Sequence, residues 1–214
     1  MRMTRTRRRG GFTLVESLVA LTVLMMALVA ALGAIEAAFT YAEEAEDRVT
    51  AYYLAQDAME YIRNVRDENM LTTPDVTQWL KQILPTCKID TSVTPNVGGC
   101  LVDTTVKRPE QGLQNCSAPC FDPTSTSKVL KMATRSGVFV GYGHEHPSAL
   151  FGNTDITWTP TKFYRYAVVT EGILDANGKL LEVSVTVLVN WKGKGGANRQ
   201  YSVRENVFRW QEDL

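Results

Sequence analysis

The stretch Arg7-Arg8-Arg9-Gly10-Gly11-Phe12-Thr13-Leu14-Val15-Glu16 decides how this chain is interpreted, because it joins a basic leader to a long apolar run. From Ser17 to Ile35 the chain has 19 residues without a charge. A helix rises about 1.5 Å per residue, so this run would span roughly 28 Å, close to the ~30 Å hydrocarbon core of a bilayer. We therefore predict a membrane-spanning helix that begins near Phe12.

Glu16 puts an ionisable carboxylate at one end of this apolar run. An isolated charge inside a bilayer costs at least about 2.5–3.5 kcal/mol on insertion scales, so such a residue is a candidate functional site. The alternative is a glutamate near the membrane interface that reaches water and needs no partner.

The leader indicates how the chain is oriented in the membrane. Residues 1–11 carry five arginines and no acidic residue. By the positive-inside rule the amino terminus stays in the cytoplasm and the remainder of the chain is exported. A conventional secretory signal and a twin-arginine signal are alternatives, but the apolar run is too long for the first and begins with a glutamate.

Residues Gly11-Phe12-Thr13-Leu14-Val15-Glu16 resemble the prepilin processing motif of type IV pilins and type II secretion pseudopilins. In that family a membrane aspartyl peptidase cuts after the glycine and methylates the new amino terminus. The resemblance implies a cut between Gly11 and Phe12, with Phe12 as the methylated first residue and Glu16 as the fifth. It also implies that Glu16 attracts the terminal amine of a neighbouring subunit during assembly.

The resemblance further implies a set of partners and a location. The partners are other pilin or pseudopilin subunits, prepilin peptidase, the inner-membrane assembly platform and membrane lipid. The location is the cytoplasmic membrane, crossed once, with the head exported, followed by a filament at the cell surface or in the periplasm.

We predict an α+β, pilin-like fold in which a long helix over about residues 12–68 packs on an antiparallel β-sheet head. The expected organisation is a cleaved leader over 1–11, a membrane or filament-core half-helix over 12–35, an amphipathic half-helix over 36–69, a short helix with a cysteine-containing loop region over 70–127, and a β-sheet over 128–214.

The amphipathic half of the helix is predicted from its apolar spacing, close to i, i+3, i+4, i+7. The residues assigned to the buried face are Ala42, Ala45, Val49, Tyr52, Tyr53, Met59, Ile62 and Val65. A short helix capped by Thr73 is expected to follow, with Trp79 in the core, and to stop at Pro85.

The carboxyl-terminal third shows β-strand patterns. Residues 182–191 alternate between apolar and polar side chains, and Phe163 to Glu171 forms a second strand. Asp175-Ala176-Asn177-Gly178 supplies a turn between them. A last strand is expected over about residues 200–210, with a bulge near Glu205-Asn206-Val207. Val138 to Tyr142 is predicted as a fourth strand of the same meander.

Four cysteines lie in the loop-rich segment: Cys87, Cys100, Cys116 and Cys120. Disulfides are the expected state outside the cytoplasm, and four cysteines allow three pairings that the sequence does not distinguish. Our working choice is the two local pairs, Cys87 with Cys100 and Cys116 with Cys120. Free thiols and a zinc site are the alternatives.

Charge gives no general reason to expect nucleic acid as a partner. Residues 12–127 have a net charge of −8 and residues 128–214 a net charge of +3. Basic and aromatic residues near the end of the chain do offer a possible grip on single-stranded DNA. They are Lys192, Lys194, Arg199, Arg204, Trp191, Tyr201 and Trp210. A solvated sheet face above core aromatics is the more ordinary interpretation.

No residue pattern argues for catalysis, a cofactor or a metal site. His144-Glu145-His146 could supply metal ligands, but the chain has no other histidine, and the triplet reads as an exposed loop. Gly193-Lys194-Gly195-Gly196 lacks the spacing of a phosphate-binding loop and is typical of a hairpin turn. We therefore expect a protein that is not an enzyme.

The sequence-based hypothesis is a structural subunit of a type IV pilus-like filament, a minor pilin or minor pseudopilin. The run Leu18-Val19-Ala20-Leu21 after the glutamate and the stretch 52–60 resemble the minor subunits. The alternative is a membrane-anchored exported binding protein, for adhesion or DNA capture, that does not polymerise.

Overall fold

The computed structural model describes residues 11, 13–73, 75–90, 97–106, 108, 111–116, 119–145 and 155–210. The chain divides into two compact units, with the boundary between Ala45 and Glu46. A long amino-terminal helix is followed by antiparallel sheets, so the predicted α+β class is confirmed.

Helix α1 covers Leu14–Thr72, a 3₁₀ turn covers Val76–Leu80, and helix α2 covers Ile83–Cys87. The strands that follow in the described part of the chain are β1 Ile89–Asp90, β2 Val97–Gly98, β3 Cys100–Val102, β4 Leu113–Asn115, β5 Lys131–Arg135, β6 Val138–Gly143, β7 Ile156–Pro160, β8 Phe163–Glu171, β9 Glu182–Lys192 and β10 Asn198–Phe208.

The helix ends differ from the prediction in three ways. Helix α1 continues to Thr72 rather than ending near Glu68. The carboxylate of Asp75 accepts the backbone N–H of Thr77, so Asp75 rather than Thr73 caps the 3₁₀ turn. Pro85 lies inside α2 rather than stopping it, because a proline in the first turn removes no intrahelical hydrogen bond.

The buried face of α1 lies in the unit from Glu46 onward and agrees with the predicted one at Met59, Ile62 and Val65 but not before them. Val49, Tyr52 and Tyr53 are 55%, 39% and 65% exposed, and Ala42 and Ala45 are exposed as well. The buried residues recur at helical spacing and include Ala51, Leu54, Ala55, Ala58, Met59, Ile62 and Val65. Three small alanines of this stripe, Ala51, Ala55 and Ala58, are fully buried in the main core.

The main sheet has the strand order β10-β9-β8-β3-β4, and all of its pairs are antiparallel. The predicted strand over Phe163 to Glu171 is confirmed as β8, and the 182–191 strand as β9 with Val183, Val185, Val187 and Val189 in the core. The cysteine-containing segment contributes β3 and β4. Trp79 is 1% exposed and lies in the core, as predicted.

The turn between β8 and β9 forms as predicted. Asp175 accepts the backbone N–H groups of Asn177 and Lys179, and Gly178 has a φ of 75°, which favours glycine. These contacts lower the pKa of Asp175 below its usual value.

Strand β6 does not belong to the main sheet, although the sequence predicts it as a fourth strand of that meander. It pairs with β5 in a separate three-stranded sheet of order β6-β5-β7. The predicted bulge near Glu205 is also wrong, because β10 keeps one register with β9 from Asn198 to Phe208. Glu205 occupies an inward position because its carboxylate forms an ion pair with Arg63 of α1.

Arg165 of β8 is fully buried and joins three other elements. Its Nε and Nη2 donate to the carbonyl oxygen of Val102 in β3, at 3.2 and 2.9 Å. Its Nη1 donates to Asp57 Oδ2 in α1 at 2.6 Å, and its Nη2 lies 3.4 Å from the carbonyl oxygen of Tyr142 in β6. The guanidinium therefore links the helix to both sheets. A planar donor with five N–H groups is suited to this role.

We expect Arg165→Met to lower the free energy of unfolding by about 3–5 kcal/mol, since it removes a buried charge partner and leaves carbonyl oxygens unsatisfied. Arg204→Met is the control, because Arg204 lies on the outward face of β10 and donates only to Ser184 among the contacts described. Urea unfolding of the full chain in detergent, followed by near-ultraviolet circular dichroism, measures both. Equal losses would contradict the assigned role of Arg165.

Gly112 sits where the segment before β4 meets helix α1. A Cβ at this position would lie 2.1 Å from Tyr61 Oη and 2.3 Å from the carbonyl oxygen of Asp103. We expect Gly112→Ala to cost about 1–3 kcal/mol of stability through overpacking. Gly193→Ala is the matched control, because its nearest neighbour is the flexible side chain of Arg199 at 3.3 Å. The thermal unfolding midpoint should fall for the first variant only.

Candidate functional site at the amino-terminal helix

The first turn of α1 has an N-cap. The hydroxyl oxygen of Thr13 accepts the backbone N–H of Glu16 at 3.3 Å, and its carbonyl oxygen accepts the N–H of Ser17 at 3.1 Å. The Thr13-x-x-Glu16 spacing is that of a capping box. The positive end of the helix dipole favours an anionic side chain in the first turn, where Glu16 lies. Phe12 lies outside the described residues.

The surface that follows this turn is apolar on every side. All large apolar side chains from Leu14 to Ile35 are at least 51% exposed. A helix that is apolar all round is stable only when lipid or other helices cover it. Helix α1 contains a window long and apolar enough to cross a membrane, and none of that window is buried within the described structure.

Comparison with known protein families finds one matching model, the prokaryotic N-terminal methylation motif, over residues 6–32. This match covers the last part of the basic leader, the Gly11-Phe12 junction and the apolar start of α1. The chain carries the amino-terminal signature of the type IV pilin and pseudopilin family. No curated protein and no solved structure matches the chain significantly.

The pilin-type motif implies a processed, exported and membrane-anchored protein that is acted on by prepilin peptidase and assembles with other pilin subunits. Gly11 is exposed, and a Cβ added to it would have no heavy atom of the described structure within 4 Å. Within the part of the chain that the structure describes, no contact therefore requires glycine at this position.

The cysteine-containing segment holds two disulfides, Cys87–Cys100 and Cys116–Cys120. These are the two local pairs of our working choice, which is one of the three possible pairings. Cys87 and Cys100 are 0% exposed and join α2 to β3 within the main core. With all four sulfurs in disulfides, the zinc and free-thiol alternatives do not apply to this structure. The residues described contain no cluster of three or more potential metal ligands.

The basic and aromatic residues near the end of the chain do not form one binding face. Trp191 is 2% exposed and packs in the core against Phe163. Trp210 is 50% exposed, and its indole N–H donates to Asp67 Oδ1 on α1. The predicted glycine-rich turn at Lys194–Gly196 connects β9 to β10, and Gly195 has a φ of 81° there. The geometry supports the sheet interpretation rather than a surface for stacking bases.

The residues His144, Glu145 and His146 do not form the exposed loop that we predicted. Both ring nitrogens of His144 are buried, and its backbone N–H donates to Asp103 Oδ2 at 2.8 Å, which holds the residue inward. Glu145 is exposed and pairs with Lys131, and His146 lies outside the described residues. Burial, followed by the charge of Arg165, lowers the pKa of His144 to about 4, although Asp103 acts in the opposite direction.

The lowered pKa of His144 predicts a loss of stability in acid. An unfolded chain binds a proton at His144 below about pH 6.5, whereas the folded chain does so only near pH 4. The stability that neutral His144 contributes to the folded chain is therefore complete above pH 6.5 and is lost as the pH falls towards 4. Between pH 7.5 and 4.5 we expect His144 to lower the free energy of unfolding by about 2–3 kcal/mol, and His144→Leu should remove this loss. Urea unfolding at pH 7.5 and 4.5 measures it, and an unchanged pH dependence in the variant would contradict the assignment.

Sequence reasoning missed the ion pair between Arg165 and Asp57. A signal was present, because Arg165 falls between Phe163 and Ala167 at an inward position of the alternating strand. A buried charge in that register needs a partner of opposite charge. The partner itself could not be chosen from the sequence, since Asp57 is 108 residues away in a helix that has several acidic residues.

Proposed function

We propose that this protein is a minor pilin or minor pseudopilin, a structural subunit that is built into a type IV pilus-like filament through α1. The observation that carries the proposal is the pilin-type motif joined to an apolar helix surface that no described residue covers. Lipid covers such a surface before assembly, and neighbouring helices cover it in a filament. The role is structural, and no catalytic activity is proposed.

Processing is proposed between Gly11 and Phe12. The exposure of Gly11 and the open space around its Cα support this site, since a peptidase must reach the peptide bond and the fold itself does not require glycine. Cleavage would leave Phe12 as a cationic terminal residue four positions before Glu16. The basic leader, with five arginines, would be discarded after it has set the orientation.

Glu16 is proposed to align an incoming subunit by attracting the Phe12 amine of a neighbour. Two opposite charges 4 Å apart attract by about 4 kcal/mol at an effective dielectric constant near 20. The attraction offsets part of the cost of holding the carboxylate in an apolar setting. The capped first turn supports this role, because it holds the Glu16 backbone in place at the start of the helix.

The subtype rests on two short resemblances. Leu18-Val19-Ala20-Leu21 and the stretch 52–60 are similar to the minor subunits of pilus and secretion systems. Because of this resemblance to subunits of pilus and secretion systems, the assembly platform in the inner membrane is also proposed as a partner.

Glu16→Gln should lower incorporation into filaments at least about tenfold, because a neutral amide loses the charge attraction. Glu36→Gln is the matched control, since it removes a negative charge further along the same helix. Quantitative immunoblotting of sheared filaments against membranes gives the ratio. Mass spectrometry of the membrane fraction should find residues 1–11 absent and Phe12 methylated in both variants.

Three results would count against this proposal. Equal incorporation of the Glu16 and Glu36 variants would remove the alignment role. A mature wild-type protein that keeps Met1 would remove the processing claim and the pilin-type function with it. A processed protein that never cross-links to neighbours through α1 would instead favour the membrane-anchored binding protein.

A further inference from the structure

A groove of about 490 Å³ lies in the unit from Glu46 onward, between helix α1 and strand β6. Tyr53 and Asp57 contribute from the helix, Thr104 from the turn after β3, and Phe139 and Tyr142 from β6. Neither the motif nor the proposed filament role uses this groove.

The groove follows the backbone edge of β6. The strand contributes four consecutive residues to the lining, from Phe139 to Tyr142. Successive side chains of a regular strand point to opposite faces, so a groove lined by four residues in a row lies beside the strand edge, where a bulge also alters the side-chain directions. Strand β6 is the outer strand of its sheet and pairs only with β5 in the part of the chain that is described. The carbonyl oxygen of Tyr142 already accepts from Thr104 and Arg165, so the part of this edge without a described backbone hydrogen bond outside its sheet runs from Val138 to Gly141. That part offers backbone donors and acceptors to another strand.

Aromatic rings form the walls. Tyr53 is 65% exposed and Phe139 is 53% exposed, so both rings offer apolar surface to a bound segment. The register between β5 and β6 shifts beside Ala133, where Val140 is the extra residue of a bulge. A bulge changes the direction of the side chains beyond it. It brings the rings of Phe139 and Tyr142 to 5.0 Å from each other at the groove.

A carboxylate lies at the helix side of the groove with one oxygen available. Asp57 is 51% exposed, and its Oδ2 accepts from Arg165 at 2.6 Å and from Thr104 at 2.8 Å. No hydrogen bond from a described residue reaches its Oδ1. The adjoining depression along α1 adds Glu60 and Asp67, and the nearby Arg63 is held by Glu60 and Glu205. Asp67 is already paired with Arg66, and Asp57 Oδ2 with Arg165, so the attraction of the groove for a positive charge comes from the half-exposed Asp57 Oδ1.

We propose that this groove binds an extended basic polypeptide segment that adds to the free edge of β6 as a strand. A lysine or arginine side chain of the segment would pair with Asp57 Oδ1 and lie against the ring of Tyr53. Apolar side chains of the segment would cover Phe139 and Tyr142. Backbone pairing gives affinity in this mode of recognition, and the side-chain sites give specificity.

The probe for this proposal is a fluorescein-labelled heptapeptide of alternating valine and threonine with a central arginine, titrated with the full chain in detergent micelles. We expect saturable anisotropy that weakens with salt, and at least tenfold weaker binding when the central arginine is replaced by glutamine. Empty micelles control for partition of the peptide into detergent.

Phe139→Ser should weaken binding at least tenfold. Val138→Ser is its matched control, because Val138 is 66% exposed on the same strand but does not line the groove. Equal thermal unfolding midpoints would show that both variants fold. Equal binding by the two variants, equal binding of the arginine and glutamine peptides, or no saturable binding would each overturn the proposal. Self-association of the full chain that Phe139→Ser abolishes would assign the groove to a second copy and overturn the proposed occupant.

Discussion

The buried guanidinium of Arg165 is the constraint on which the head depends. It is 0% exposed, it forms an ion pair with Asp57 of α1, and it donates to carbonyl oxygens in β3 and β6. A charge in the interior is tolerated only when nearly all of its hydrogen-bonding capacity is used. Helix α1 and strands β3 and β6 must therefore pack around Arg165 in one arrangement. The apolar contacts supply the drive to fold, whereas Arg165 restricts how the helix and the two sheets meet.

The parts of the fold that were predicted correctly are those whose signals are local. The membrane-length run, the strand over 163–171, the alternating strand over 182–191 and the turn at Asp175 all depend on neighbours in sequence. The errors share a different cause. Glu205 breaks the apolar pattern because it meets Arg63 from a distant element, and a bulge was predicted where an ion pair exists. Which sheet β6 joins also depends on contacts distant in sequence.

The two ends of the molecule carry information of different kinds. The methylation motif and the apolar helix need only lipid, a peptidase and similar helices, which any family member would meet. The head combines features that belong to this chain, including the bulge in β6, the exposed rings of Tyr53 and Phe139, and the half-exposed Asp57. A motif can therefore identify the class, whereas the surface of the head decides what distinguishes this chain from others that carry the motif.

The position of the Cys87–Cys100 disulfide imposes an order of events on the maturation of the protein. Both cysteines are 0% exposed beneath α2 and β3, so an oxidant cannot reach them once the surrounding core has formed. Oxidation must therefore precede closure of the core, and it requires a compartment outside the reducing cytoplasm. The bond thus ties completion of the main core to an oxidising compartment, because it joins α2 to β3 inside that core.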